Sequence, residues 1–218
     1  MKNTLIFDLD GTILNTLYDI HYCVNKALSH FGYEEVSMDK TISSVGYGAK
    51  ILIELVSGFK NSKEFDELFN YYVKLQAESD NSKTVLYDGL DELLLKLKKE
   101  GYTLAIISNK PDSITQIVCE QKLKKYGFDY ITGNKPELFN PKPDKSCVLY
   151  YLDKYGINKE NVIYIGDSEV DVKTFKSAGV DGIGVLWGFR KKQVLEEAGC
   201  KYFASTADEL YKTIKSFN

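Results

Sequence analysis

Three short apolar runs each end in a cluster of polar residues. The runs and the clusters that follow them are Leu5 to Phe7 before Asp8 to Thr12, Thr103 to Ile107 before Ser108 to Pro111, and Val162 to Ile165 before Gly166 to Ser168. A short apolar run that stops at turn-forming residues is typical of a buried strand. The pattern therefore predicts three buried strands whose carboxyl ends carry polar side chains.

Helical patterns lie between and after these strands, and several close at a glycine. The predicted helices are Asp91 to Lys99 before Gly101, Ser113 to Lys125 before Gly127, and Asp144 to Tyr155 before Gly156. Strands that are apolar on both faces and alternate with helices indicate a parallel sheet covered by helices. We therefore predict an α/β fold with a Rossmann-like parallel sheet, and ligands at the carboxyl ends of its strands.

One stretch interrupts this alternation with helical patterns alone. Between residues 16 and 81 the predicted helices are Tyr18 to Phe31, Ala49 to Val56 and Lys63 to Glu78. A polar segment, Asp80 to Lys83, is suited to a hinge that leads back to the sheet. We predict a small helical cap domain at 16–81, inserted after the first strand of a core domain at 1–15 and 82–218.

Composition and charge narrow the classes of partner. The 218 residues are 44% hydrophobic and 27% charged, as in an ordinary globular protein, and the formal net charge of -3 supplies no basic field for nucleic acid or a membrane surface. An acidic residue, Asp8, arrives too early for a signal peptide, so we expect a cytoplasmic protein without a membrane partner. The four cysteines are scattered and are interpreted as buried thiols.

Two pairs of aspartates are candidates for a metal site. Asp8 and Asp10 follow the first strand, while Asp167 and Asp171 are four residues apart, on one face of a helix start. Clustered carboxylates repel one another unless a cation neutralises them, and hard oxygen ligands favour Mg²⁺. A divalent ion in turn suits a phosphorylated substrate. The alternative for either later aspartate is a helix cap.

Three further polar residues are suited to holding phosphate. Ser108 and Asn109 end the second strand, just before a predicted helix start that favours anions. Lys142 stands between two prolines that restrict its backbone. A surface lysine is the alternative for Lys142. We interpret Arg190, the only arginine, as a solvated side chain, with contact to a ligand or a cap carboxylate as the alternative. The glycines on either side of Tyr47 fit either a binding loop or a plain turn.

Taken in order, these motifs resemble the four motifs of the haloacid dehalogenase superfamily. They are Asp8 to Thr12, Ser108 to Pro111, Lys142-Pro143 and Gly166 to Asp171. The resemblance implies that Asp8 attacks phosphorus and that Asp10 is the general acid and base. It also implies Mg²⁺ bound by Asp8, the Asp10 backbone carbonyl and Asp167, with Asp171 acting either through water or by supporting the ligands from outside. The phosphoryl group would be held by Ser108 and Lys142.

The resemblance is strongest to phosphoglycolate phosphatases, which implies a small phosphorylated metabolite as substrate. We assign substrate binding to Gly11, Thr12, Ser108, Asn109 and Lys142. A phosphomutase, a pyrophosphatase and a regulatory protein on the same fold are the alternatives. Dehalogenases of the superfamily lack the second aspartate of the first motif, so Asp10 argues against dehalogenation. Either a monomer or a homodimer is expected.

Overall fold

The computed structural model describes residues 2–218, and its centre is a parallel sheet of six strands. The sheet strands are β1 (Thr4–Phe7), β4 (Thr103–Pro111), β5 (Tyr130–Asn134), β6 (Val162–Gly166), β7 (Asp181–Val185) and β8 (Tyr202–Ala204). Their spatial order is β5-β4-β1-β6-β7-β8, and every neighbouring pair is parallel. Two short strands, β2 (Leu14–Asn15) and β3 (Val85–Leu86), form a separate antiparallel pair. The predicted α/β fold with a parallel sheet is therefore confirmed.

Helices cover both faces of the sheet and form a separate group after β1. They are α1 (Leu17–His30), α2 (Met38–Ser44), α3 (Ala49–Ser57), α4 (Lys63–Glu78), α5 (Leu90–Lys99), α6 (Asp112–Lys122), α7 (Ser146–Tyr155), α8 (Glu169–Ala178), α9 (Lys192–Glu197) and α10 (Ala207–Ser216). No helix within residues 2–218 has both the length and the apolar character needed to cross a bilayer.

The two faces of the sheet bury two different apolar clusters. On β1, Leu5 and Phe7 point to the face that packs on α5, α6 and α10, whereas Ile6 points to the face that packs on α7 and α8. This alternation follows from the two-residue period of a strand. Because β1 is buried on both faces, its sequence is a continuous apolar run rather than an alternating one.

A third apolar cluster belongs to α1–α4. Its fully buried members include Val24, Ile53 and Leu68, one from each of the three longer helices. These helices therefore have a core of their own, over the edge of the sheet where β1 and β4 end. The exact domain bounds proposed from the sequence stay a prediction.

Several helix bounds differ from the predicted ones. The helix predicted from Asp144 begins at Ser146, because the Asp144 carboxylate accepts a hydrogen bond from the Ser146 N–H and closes a turn first. The helix predicted to reach Lys125 ends at Lys122 and continues as a short 3-10 helix, Lys124–Tyr126. Helix α2 was not predicted, because its sequence MDKTISS has too few apolar residues to show a helical period.

Candidate functional site

The polar clusters that end β1, β4 and β6 meet at one edge of the sheet. These three strands are neighbours at the sheet centre, where β4 and β6 lie on either side of β1. After β1 the chain forms β4 and β5 on one side, and it then crosses to form β6, β7 and β8 on the other side. Such a reversal of strand order leaves a crevice at the carboxyl ends, where α/β proteins bind ligands. Asp8, Ser108 and Asp167 are about 60 to 160 residues apart in sequence, yet they lie in one crevice.

Three carboxylates form the acidic centre of this crevice. One oxygen from each of Asp8, Asp167 and Asp171 lies within 4.8 Å of the others. The three residues are 8%, 1% and 0% exposed, so water screens their mutual repulsion poorly. The Asp10 carboxylate is outside this group, because it pairs with the Lys110 ammonium, which lies 3.2 Å from both of its oxygens.

Lys142 is the buried cation of the centre. Its Nζ lies 2.9 Å from Asp8 Oδ1 and 2.7 Å from Asp171 Oδ1, and it donates to the Tyr164 hydroxyl at 3.1 Å. Asn109 fixes the Lys142 backbone on both sides. Its side chain donates to the Lys142 carbonyl at 2.9 Å and accepts from the Lys142 N–H at 2.8 Å. Asn109 thereby aims the ammonium at Asp8.

Asp171 has two structural tasks besides its place in the acidic centre. Its side chain accepts from the N–H and the hydroxyl of Ser168, and Ser168 in turn caps the start of α8. The alternative of a helix cap is therefore correct for Asp171. Its other oxygen accepts from Lys142 and from the Tyr164 hydroxyl. A side chain held this firmly keeps its position when the charge nearby changes.

Asp167 is oriented from two sides. The Thr12 hydroxyl donates to one of its oxygens at 2.9 Å, and the Phe189 N–H donates to the other at 2.8 Å. Gly11 has φ +88°, and a Cβ there would lie 2.5 Å from Asp167 Oδ2. Only glycine combines that backbone conformation with such a close approach. The glycine that follows Asp8 by three residues is thus tied to the placement of Asp167.

Burial and crowding raise the pKa of two of these carboxyl groups. The pKa of Asp8 is raised well above its usual value, first by burial and then by the Asp171 charge, against the opposing effect of Lys142. Burial, followed by the Asp171 charge, raises the pKa of Asp167 to about 7. The pKa of Lys142 is also raised, because the Asp171 and Asp8 charges outweigh its burial. One lysine does not neutralise three buried carboxylates, so the donor set fits a divalent cation.

The raised pKa of Asp167 predicts that the binding of a divalent cation at this site depends on pH. Its folded pKa of about 7 lies above the usual 3.8, so the folded protein holds an extra proton between these values. Without metal, stability should therefore fall as pH rises from about 4 to about 7, and a divalent cation that binds here must displace that proton. We expect the increase in melting temperature caused by Mg²⁺ to be larger near pH 8 than near pH 6.

Thermal melts with EDTA and with Mg²⁺ across that range measure this effect. The matched variant Asp167→Asn has no proton to displace at this position, so its response to Mg²⁺ should be weak and flat. A Mg²⁺ response of the wild-type protein that stays the same across the range would contradict the prediction.

A cavity opens from the acidic centre toward α1, α3 and α4. Its lining includes Asp8, Asp10, Ser108 and Lys110 from the sheet side. The side chain of Asp10 is 13% exposed and that of Lys110 is 6% exposed. Asp10 therefore lies beside Asp8 on the cavity floor, where it can reach a group bound above Asp8.

Two residues outside α1–α4, Asn109 and Arg190, bind this helical group over the cavity. Asn109 donates to the Gly46 carbonyl at 3.0 Å. Arg190 donates to the carbonyls of Ile42 and Val45 at 2.9 and 2.6 Å, and it pairs with Glu169. Arg190 is thus a contact between the core and the end of α2, and its interpretation as a solvated side chain was wrong.

The structure brings most of the predicted site residues together. Asp8, Asp10, Ser108 and Asn109 line the cavity, and Lys142, Asp167 and Asp171 lie beneath it. Thr12 and Gly11 contact Asp167 from the side, so their closest functional partner is that carboxylate. Sequence reasoning missed Lys110 and Tyr164. Tyr164 was detectable as a hydroxyl in an otherwise aliphatic strand, VIYIG.

Comparisons with known proteins match most of the chain. The family model described as haloacid dehalogenase-like hydrolase covers residues 5–185. A phosphoglycolate phosphatase of Colwellia psychrerythraea is 31% identical, over 98% of this chain and 97% of its own length. A crystal structure of a Clostridium acetobutylicum protein, described as a predicted phosphatase, is 28% identical with a TM-score of 0.86 and covers 99% of both chains.

A more distant structure shares the fold. A haloacid dehalogenase-like family hydrolase of Streptococcus pneumoniae has a TM-score of 0.87 at 21% identity, over 98% of both chains. The arrangement of sheet and helical group is therefore common to proteins whose sequences have diverged widely.

Proposed function

The chain belongs to the haloacid dehalogenase-like hydrolase family and is a phosphoric monoester hydrolase, and we propose that it is a Mg²⁺-dependent phosphatase. In this proposal the phosphoryl group of a small metabolite is transferred first to Asp8 and then to water. The observation that carries the proposal is the contact of Lys142 with Asp8 at 2.9 Å, where Asp8 lines the cavity and two more carboxylates, Asp167 and Asp171, lie beside it.

Asp8, Asp167 and the backbone carbonyl of Asp10 would hold the metal, and Asp171 would act through water. The fit rests on three buried carboxylates within 4.8 Å of one another, balanced by one lysine. When bound, Mg²⁺ supplies positive charge that offsets the phosphoryl oxygens and keeps the neighbouring carboxylates ionised. The raised pKa of Asp8 makes this charge necessary, since a protonated Asp8 is no nucleophile.

Asp8 provides the attacking oxygen. Its Oδ1 accepts from the Leu9 N–H at 2.7 Å and faces the Lys142 ammonium, which orients the carboxylate. Attack on phosphorus forms an oxygen-phosphorus bond to Asp8 as the bond to the leaving-group oxygen breaks. Lys142 and the hydroxyl of Ser108, a residue of β4, would hold the phosphoryl oxygens as negative charge moves onto them. Asn109 serves the same step by positioning Lys142.

Asp10 is placed to move the protons of both steps. It lies two residues from Asp8, lines the same cavity and remains partly accessible. In the first step its carboxyl group gives a proton to the leaving oxygen. In the second step the resulting carboxylate takes a proton from water, which attacks the phosphorus and releases Asp8. Lys110, paired with Asp10, holds it in this orientation and stabilises its charged form between the steps.

Phosphoglycolate is our proposed substrate, on the strength of the named relatives. A panel of phosphate esters that contains phosphoglycolate, pyrophosphate and a sugar monophosphate, assayed for released phosphate with Mg²⁺ and with EDTA, tests this function. We expect Mg²⁺-dependent release, fastest from phosphoglycolate. Conversion of the sugar phosphate to an isomer without released phosphate would favour the mutase, and the absence of any turnover would overturn the proposal.

A further inference from the structure

The cavity walls above Asp8 and Asp10 are mostly aliphatic. The side chains that form them from the helical group and from α6 are Ile20, Val45, Ala49, Leu52 and Ile114. Such walls accept the carbon atoms of a leaving group but offer its polar atoms no partner. A polar leaving group must therefore find its hydrogen bonds at the few polar positions of the cavity.

Two polar side chains of α4 interrupt the aliphatic walls. Tyr72 and Gln76 both line the cavity, and each is only 3% exposed. They are four residues apart and so lie on the same face of the helix. The sequence alone predicts no role for either residue, because an aromatic residue and an amide four residues apart are common where helices pack together.

Neither side chain has its polar atoms fully used within the protein. Within residues 2–218, no side chain forms a hydrogen bond with the Tyr72 hydroxyl. The Gln76 amide contacts the Cys23 thiol, a weak partner. Neither group is among the fully buried side-chain atoms of residues 2–218 that lack a partner, so both are interpreted as facing the open space of the cavity, where a bound molecule can pair with them.

The charges around the cavity indicate the kind of partner. The pKa of Tyr72 is raised well above its usual value, so the hydroxyl stays protonated and can donate. The Lys110 ammonium donates to both oxygens of Asp10 at 3.2 Å. An ammonium has three protons, so one donor is left for a bound group. A phenol, an amide and an ammonium around one apolar cavity together suit a group that only accepts hydrogen bonds, such as a carboxylate.

We propose that Tyr72 and Gln76 determine the specificity of the enzyme by binding a carboxylate at the far end of the leaving group. This inference rests on the proposed function and assigns the second polar end of its substrate to α4. The phosphoryl group lies at Asp8, the carbon atoms pass between the aliphatic walls, and the carboxylate reaches the Tyr72 hydroxyl and the Gln76 amide with Lys110 nearby.

Three phosphate esters of similar length separate this role from a structural one. Phosphoglycolate ends in a carboxylate, 2-hydroxyethyl phosphate in a hydroxyl and propyl phosphate in a methyl group. We would measure kcat/KM for each ester with the wild-type protein, Tyr72→Phe and Gln76→Glu. The control is Tyr71→Phe, because the neighbouring Tyr71 stacks on His30 at 4.0 Å instead of lining the cavity.

We expect Tyr72→Phe to lower kcat/KM for phosphoglycolate about tenfold, since the carboxylate loses a buried donor, and to leave propyl phosphate nearly unchanged. Gln76→Glu keeps the shape but opposes a carboxylate with a like charge, so its loss should be larger, on the order of 100-fold, and confined to phosphoglycolate. Tyr71→Phe should leave all three esters unchanged.

Two results would overturn the specificity role while the proposed function stands. One is Mg²⁺-dependent hydrolysis of these esters in ratios that Tyr72→Phe and Gln76→Glu do not alter. The other is a loss that is equal for all three esters, or largest for 2-hydroxyethyl phosphate, which would indicate a structural role or a hydroxyl ligand. A wild-type protein that hydrolyses none of the esters with Mg²⁺ would instead overturn the proposed function, and the specificity role with it.

Discussion

Replacing Asp8 with asparagine is expected to lower kcat on the order of 10⁴-fold or more and to leave the protein folded. An amide is a poor nucleophile toward phosphorus, and the loss of a nucleophile that acts together with a general base removes most of the catalysis. Asparagine keeps the shape of the side chain and can still accept from the Leu9 N–H. Initial rates of phosphate release with Mg²⁺ measure the effect.

A thermal melt is the control for this variant. The pKa of Asp8 is raised because burial and the Asp171 charge oppose its ionised form. A neutral asparagine relieves that repulsion, so the metal-free variant near pH 8 should melt no lower than the wild-type protein. Normal turnover by Asp8→Asn would exclude Asp8 as the nucleophile, and unfolding of the variant would show that the carboxylate is needed for the fold.

Replacing Lys142 with methionine is expected to affect stability and activity together. Lys142 is 3% exposed and faces Asp8 and Asp171, so its removal leaves buried carboxylates without their cation. The loss of one partner of a buried ion pair costs about 3–5 kcal/mol, which corresponds to a fall in melting temperature on the order of 10 °C. Turnover should fall on the order of 100-fold or more, because a cation at the phosphoryl group is lost.

The pH dependence of this deficit identifies its cause. Protonation neutralises Asp8 and Asp171, which have lost their cation in this variant. The difference in melting temperature between Lys142→Met and the wild-type protein should therefore shrink as pH falls. Lys145→Met is the matched control, since Lys145 is three residues away on the exposed surface. A deficit that is independent of pH, or an equal deficit in Lys145→Met, would contradict a charge effect at Asp8 and Asp171.

The sequence was sufficient for the parallel sheet because its central strands have a distinctive pattern. The runs that became β1, β4 and β6 are apolar on both faces, which only a sheet covered on both sides requires. The outer strands β5 and β8 and the neighbouring strand β7 contain glycine, aspartate or tyrosine and lack such a run, so no comparable pattern marks them. Helix starts shifted where a local side-chain contact competed, as at Asp144.

The carboxylates and Lys142 were accessible to sequence reasoning because residue type restricts their chemistry and because they follow strand ends. Contacts that join distant parts of the chain were not. The pairing of Lys110 with Asp10 and the bridge from Arg190 to α2 depend on how the helical group packs over the sheet. The orientation of Tyr72 toward the cavity depends on that packing as well.

The central claim is that Asp8 carries the phosphoryl group during turnover, and Asp10→Asn provides the most direct test. With p-nitrophenyl phosphate the leaving group departs without a proton from Asp10, whereas the second step still needs Asp10 to activate water. The phosphoryl group should therefore accumulate on the protein. Acid quenching, digestion and mass spectrometry should find one phosphoryl group on the peptide that contains Asp8. A phosphoryl group on another residue, or release of p-nitrophenol with an unmodified Asp8 peptide throughout, would contradict the account.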